Sequence, residues 1–173
     1  MKHIIYLCFL LLCIGCATNT DNDTSKEITK TFPKYGFSIT APCVLEDATS
    51  KARKHIDGDL EVEYSGVENF GDTVNATAYQ VLVHKISENS FENEAQLNEF
   101  MDQVKKSGFT NVEKVLFSDN KYIGYVGDIF KNGSMNRMVQ FRKGKYLISL
   151  IVITNTGLDE KFKNFTESFK AID

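Results

Sequence analysis

The pattern of apolar and polar positions changes character several times along the chain, and each change marks an element. Behind Lys2 and His3, residues Ile4 to Ile14 are almost wholly apolar; from Thr18 the chain turns polar. Between Ala17 and about Lys30 the residues are almost all Thr, Asn, Asp, Ser, Lys and Glu, a composition that buries little and reads as a flexible tether. The folded domain is expected from Phe32. "YGFSITAP" sets Tyr35, Phe37 and Ile39 on one face and stops at Pro42, which suits a first, edge strand. "DLEVEYS" alternates Leu60, Val62 and Tyr64 against Asp59, Glu61 and Glu63. "VNATAYQVLVHKI" supplies its hairpin partner across a loop at Gly71.

The period then shifts to that of a helix. In "NEAQLNEFMDQVKKSGF", Leu97, Phe100, Met101 and Val104 share a face, Lys105 and Lys106 occupy the last turn, and Gly108 supplies the stop. Four strands follow at about Val112–Phe117, Tyr122–Phe130, Met135–Arg142 and Tyr146–Thr154, with tight turns expected at Asn132-Gly133 and Lys143-Gly144. The last of them, "YLISLIVIT", is apolar on both faces, the mark of a strand in mid-sheet with something packed on each side. A closing helix, "LDEKFKNFTESFKAID", lines up Leu158, Phe162, Phe165, Phe169 and Ile172. This order predicts an α+β fold, an antiparallel β-sheet with helices packed on it.

Composition narrows the class further. The 173 residues are 42% hydrophobic, 12% aromatic and 25% charged, ordinary for one globular domain with a real core. A formal charge of -3 without any block of Lys or Arg argues against a nucleic-acid partner.

The opening apolar run would span only about 16 Å as a helix, against roughly 30 Å of bilayer hydrocarbon. That length fits the h-region of a secretory signal. "CIGC", residues 13–16, resembles a bacterial lipobox, although Cys13 stands where Leu is usual. The resemblance implies a signal peptide over 1–15 and acyl chains (palmitate among them) on Cys16; the polar composition beyond it then gives a tether over 16–31 and the patterned remainder a globular domain over 32–173. More than one acyl chain is what stable anchoring requires. The alternative is an ordinary cleavage a few residues later, near Ala17. Once Cys8 and Cys13 leave with the signal and Cys16 carries lipid, Cys43 stands alone, and a disulfide within the domain is excluded. One cysteine with His55 and His84 makes a poor zinc site, so neither metal nor cofactor is expected.

"YGFSITAP", the long hairpin, the central helix, the meander and the closing "FKNFTESFKAI" together resemble the PsbP-like fold. That group takes in a photosystem II extrinsic subunit, Ran-binding Mog-type proteins and bacterial DcrB-type lipoproteins. The likeness is a pattern of elements from about Phe32 to Ile172 and carries no signature residues. It implies an α/β/α sandwich and non-enzymatic binding or assembly roles, often at a membrane surface.

Two residue groups could carry chemistry. Asp57, Asp59, Glu61 and Glu63 recur at every second position and could hold a calcium ion in an adhesion module. Same-face residues on a strand lie about 7 Å apart, however, which favours a solvated face paired with lysines on a neighbouring strand. Cys43 could be the nucleophile of a weak hydrolase with His55 or His84 as base, but "APCVLED" resembles no nucleophile elbow. The phenylalanine stripe of the last helix reads as core. The expectation is therefore a lipoprotein of the cell envelope, at the outer membrane, facing the periplasm or the cell surface. It does no catalysis; its partners are the bilayer, through Cys16, and an envelope protein or small ligand.

Overall fold

The computed structural model describes residues 27–54, 59–86 and 93–172. The elements run β1 (Ile28–Phe32), a 3-10 turn (Pro33–Tyr35), β2 (Phe37–Ala41), β3 (Glu46–Asp47), α1 (Thr49–Ala52), β4 (Leu60–Glu68), β5 (Thr77–Lys85) and α2 (Glu94–Lys106). They continue with β6 (Thr110–Phe117), β7 (Tyr122–Lys131), β8 (Ser134–Lys143), β9 (Tyr146–Thr154), α3 (Leu158–Glu167) and β10 (Lys170–Ala171). The main sheet has the order β3-β4-β5-β9-β8-β7-β6, and a small sheet has the order β1-β2-β10. Every pairing is antiparallel.

β9 lies at the centre of the main sheet, as its two apolar faces require, and β5 beside it is buried along all but its last residue. One face carries Tyr79, Val81, Val83, Phe141, Ile148 and Leu150. It is closed by β2 (Phe37, Ile39) and α3 (Phe165), with Phe169 just beyond the helix. The rings interlock there: Phe169 lies 5.3 Å from Phe37 and 5.2 Å from Phe141, centroid to centroid. On the other face, Ala52 of α1 covers Leu60, Leu82 and Ile151, while Leu97, Met101 and Val104 of α2 cover Tyr125, Leu147 and Val112. The α2 helix starts where Asn93 Oδ1 accepts the Gln96 N–H at 3.0 Å, a side-chain N-cap.

Several expectations are corrected by long-range pairing. Ile28–Thr31, assigned to the tether, form β1 against β2, and the Thr29 and Thr40 hydroxyls meet at 2.8 Å. β2 is thus the middle of its sheet and not an edge. The closing helix ends early because Ser168 Oγ accepts the Thr40 N–H and donates to the Thr40 carbonyl, both at 2.9 Å, which holds the chain against β2. Lys170 and Ala171 then pair with Ser38 and Phe37 as β10. Asn132-Gly133 is the expected hairpin loop, both residues at positive φ, but the second loop is Gly144-Lys145, closed by Lys143 opposite Tyr146.

The alternation of "DLEVEYS" fails at a β-bulge. Leu60 faces His84 and Val62 faces Val83, so Glu61 is the extra residue. Leu60 joins the α1 side while Val62 and Tyr64 join the aromatic side. Glu63, expected in solvent, lies on the α1 side and is only 3% exposed.

Gly66 in β4 lets the segment after β2 cross the strand closely: a Cβ there would fall 2.2 Å from the Val44 carbonyl oxygen and 2.8 Å from Cys43 Sγ. Gly66→Ala is expected to push this segment off β4 and to destabilise the fold by about 1–3 kcal/mol, the range of overpacking. Denaturant unfolding checks it; an unchanged midpoint would mean that the segment moves aside without cost.

Candidate functional site

A groove of about 440 Å³ opens between α3 and the β6–β7 edge of the main sheet. Val126 and Val139 form its floor, Val115 and Phe117 one wall, and Phe162 and Phe169 the other. Ser118, Asp119, Thr166 and Glu167 set a polar rim. Hydrophobic concavity with a few polar groups at the mouth is the common form of a ligand pocket. The rim turn is unusual: Ser118, Asp119 and Asn120 all adopt positive φ (53°, 53° and 64°), a left-handed run that L residues seldom take.

An ion network stands beside the groove. Arg137 of β8 faces Asp128 of β7 across the hairpin. Its Nε donates to Asp128 Oδ1 at 2.6 Å and its Nη2 to Oδ2 at 2.9 Å, a bidentate pair. Nη1 reaches Asp159 in the first turn of α3, and the guanidinium lies 5.7 Å from the ring centre of Phe162. Asp128 is buried, and burial alone would raise its pKa; the hydrogen bonds from Arg137 and Asn111 outweigh that and hold the carboxyl below its usual range. This arrangement fixes α3 on the sheet and so sets one groove wall.

The other face of the sheet contains buried polar groups that charge counting does not reveal. The Tyr125 hydroxyl donates to Gln140 Oε1 at 2.9 Å, and Gln140 Nε2 donates to Ser149 Oγ at 2.6 Å. On β4 and β5, by contrast, Glu63 Oε2 and Gln80 Oε1 are buried without a hydrogen-bond partner. Glu63 lies opposite Leu82, two residues beyond Gln80, so the two occupy diagonal positions of one face. Both are acceptors, and a proton on Glu63 turns one of them into a donor. Burial pushes the Glu63 carboxyl from 4.5 up to about 7.

The residues singled out from sequence are mostly kept apart. Cys16, His55 and Asp57 lie outside the described residues. Cys43 is half-buried, and burial, helped by the charge of Glu68, pushes its thiol up to about 12, which favours the protonated thiol over the thiolate at neutral pH. Cys43 packs on the aromatic face at Gly66, whose partner is Tyr79, whereas His84 lies on the opposite face five residues farther along β5, a strand distance of roughly 17 Å. They cannot act as a pair. The acidic series is dispersed too: Glu61 binds Lys34 and Tyr35, and Glu63 is buried on the opposite side. Lys34 comes from the 3-10 turn, and the charge of Lys85, at the end of the neighbouring β5, also favours the Glu61 carboxylate. Among the described residues, no group of three or more His, Cys, Asp or Glu could hold a metal ion. Phe162 and Phe169, expected as core only, also line the groove.

No sequence-family model matches the chain, and no curated protein does. Among solved structures it is similar to cyanobacterial PsbP (CyanoP) from Synechocystis, with a TM-score of 0.56 and 13% identity over 91% of this chain and 98% of that one. It is also similar to the Ran-binding protein Mog1p of Saccharomyces cerevisiae, with a TM-score of 0.47 and 12% identity over 86% and 97% of the two chains. The protein therefore has a PsbP-like α+β fold, as the order of its elements implied.

The orphaned Glu63 makes stability depend on pH. Folding raises its pKa, so its contribution is fully present below about pH 4.5 and is lost as the pH rises to about 7, a change on the order of 3 kcal/mol. His84 shares this face, and burial holds it below its ordinary value, an effect of opposite slope. Glu63→Gln is expected to match the wild type near pH 4.5 and to melt higher at pH 8. Coincident melting profiles across that range would show that Glu63 titrates normally.

Proposed function

We propose that this chain is a bacterial envelope lipoprotein, held to the outer membrane through an acylated Cys16, whose PsbP-like domain is a non-catalytic binding or assembly module. The observation that carries the binding role is the open groove beside α3, with apolar walls on two different elements and the Asp128–Arg137–Asp159 network joining the α3 wall to the β7–β8 hairpin. Among the described residues its titratable lining groups, Asp119 and Glu167, sit on the rim. Its chemistry suits an apolar side chain or a small apolar ligand with a polar end, offered by an envelope protein or metabolite. The protonated Cys43 thiol and its separation from His84 weigh against hydrolysis. The anchor rests on "CIGC" at the end of an apolar run of signal-peptide length.

Two measurements test the two halves of this reading. Protein extracted from its native membrane is expected to have an intact mass equal to residues 16–173 plus acyl chains. A mass without acyl chains, starting after Ala17 or later, would instead describe a free periplasmic or secreted domain. For the groove, a photo-crosslinking amino acid at Thr166 is expected to give one discrete adduct in cells. Val126→Phe, which fills the floor, should reduce that adduct at least tenfold, equivalent to about 1.4 kcal/mol of binding. An adduct pattern indifferent to Val126→Phe would remove the groove as the binding site.

A further inference from the structure

The exposed apolar residues are unevenly distributed. Of the eight large hydrophobic side chains exposed among the described residues, six lie at one end of the main sheet: Ile28, Val44, Val67, Phe70, Val74 and Phe130. Register places them there. Glu68, Thr77, Thr154, Met135 and Phe130 form one row across five strands, and from it spring the β4–β5 loop, with Phe70 and Val74, and the β7–β8 turn. Such a row is about 19 Å wide at the usual strand spacing. Val44 reaches the same end by crossing Gly66, next to Val67. Phe130 is 68% exposed and Phe70 53%, unusual for phenylalanine on a solvent-facing surface.

The chain enters the domain at this end. Ile28 pairs with Ala41, three residues before Val44. The turn joining β1 to β2 is at the opposite end, where Tyr35 packs on Tyr146 at 5.0 Å and Gly36 lies against Lys143. About a dozen residues separate Ile28 from Cys16, at most roughly 40 Å when fully extended and nearer 20 Å as a flexible coil. An anchor at Cys16 therefore keeps the apolar end closest to the bilayer and at high effective concentration.

We infer that the end of the domain formed by Phe70, Val74, Val67, Val44, Ile28 and Phe130 docks on the lipid surface to which Cys16 is anchored. This rests on the lipid anchor proposed above. Apolar contact drives the docking, because the end carries charges of both signs, Glu68 and Asp72 with Lys131 at the end of β7 and Lys161 on Thr77 and Thr154, while Lys121, Lys143 and Lys145 cluster at the opposite end. Docking this way turns the latter three lysines away from the membrane. It leaves the groove beside α3, on the flank of the sheet, open to a partner.

The protein has no tryptophan, so an introduced one reports alone. Phe70→Trp, Phe130→Trp and, as a control, the exposed Leu116→Trp are each reconstituted as the acylated protein in phosphatidylethanolamine/phosphatidylcholine vesicles with brominated acyl chains. Trp at 70 and at 130 should shift to the blue and be quenched, while Trp at 116 should not. Vesicle flotation is read on the same samples. Protein that floats with Trp at 70 and 130 unquenched overturns the docking and leaves the anchor standing; quenching at 116 alone, the opposite orientation, overturns it equally. Protein that fails to float overturns the anchor and the docking with it. A blue shift seen in native membranes and absent from pure lipid assigns the apolar end to a protein partner and also overturns the inference.

Discussion

Strands β5 and β9 are buried on both faces, and that demand organises the remainder of the molecule. A sheet with two apolar faces must be covered twice. The chain meets this with β2 and α3 on one side and α1 and α2 on the other, so helices flank the sheet on both sides. The aromatic side is the tighter of the two. Phe37, Phe117, Phe141 and Phe169 pack ring against ring, so the place of α3 is set by shape as well as by area. The Arg137 guanidinium then joins α3 to the β7–β8 hairpin through two carboxylates.

The groove follows from the same packing. α3 covers β9 and β8 well but runs out before it reaches the edge, leaving Val115, Val126 and Val139 with a gap beside Phe162 and Phe169. The gap stays open because its walls are tied down by other interactions: the ion network, the Ser168 clasp on β2, and the aromatic stack beneath. A pre-formed cavity of this kind costs little reorganisation to fill. The opposite face pays for its polar layer with two orphaned acceptors, Glu63 and Gln80, and so gives the fold a pH-dependent term unconnected with the groove.

Some of this was legible in the sequence and some was not. The register of the β7–β8 hairpin could have been counted from the Asn132-Gly133 turn, which puts Lys131 opposite Ser134 and therefore Asp128 opposite Arg137. That count would have flagged an acidic residue in an apolar strand with its partner in place. No such signal announces the bulge at Glu61. "DLEVEYS" alternates cleanly as written, and only the pairing with β5 and the packing of α1 through Thr49, whose hydroxyl accepts the Glu63 N–H at 3.0 Å, turn Glu63 inward. β1 escaped notice for a related reason. Its Thr and Lys side chains need not be apolar on an outer strand, and its stability comes from pairing with β2 across the 3-10 turn, which its own side chains do not announce.

By itself, the sequence determined the properties that depend on local order. Period-two and period-3.6 runs set the type of the long elements, β2, β4 to β9, α2 and α3, the doubly apolar "YLISLIVIT" set the centre of the sheet, and turn residues set the hairpins. These are choices each segment makes from its own side chains and backbone preferences. Tertiary structure alone decided which carboxylate is buried, where α3 stops, how Cys43 and His84 come to lie on opposite faces, and that a groove opens between α3 and the sheet. It also gathered Phe70, Phe130 and Val44, distant in sequence, at the end where the chain enters. Each of these is a relation between segments far apart in the chain, set by packing and pairing energies that no single segment contains.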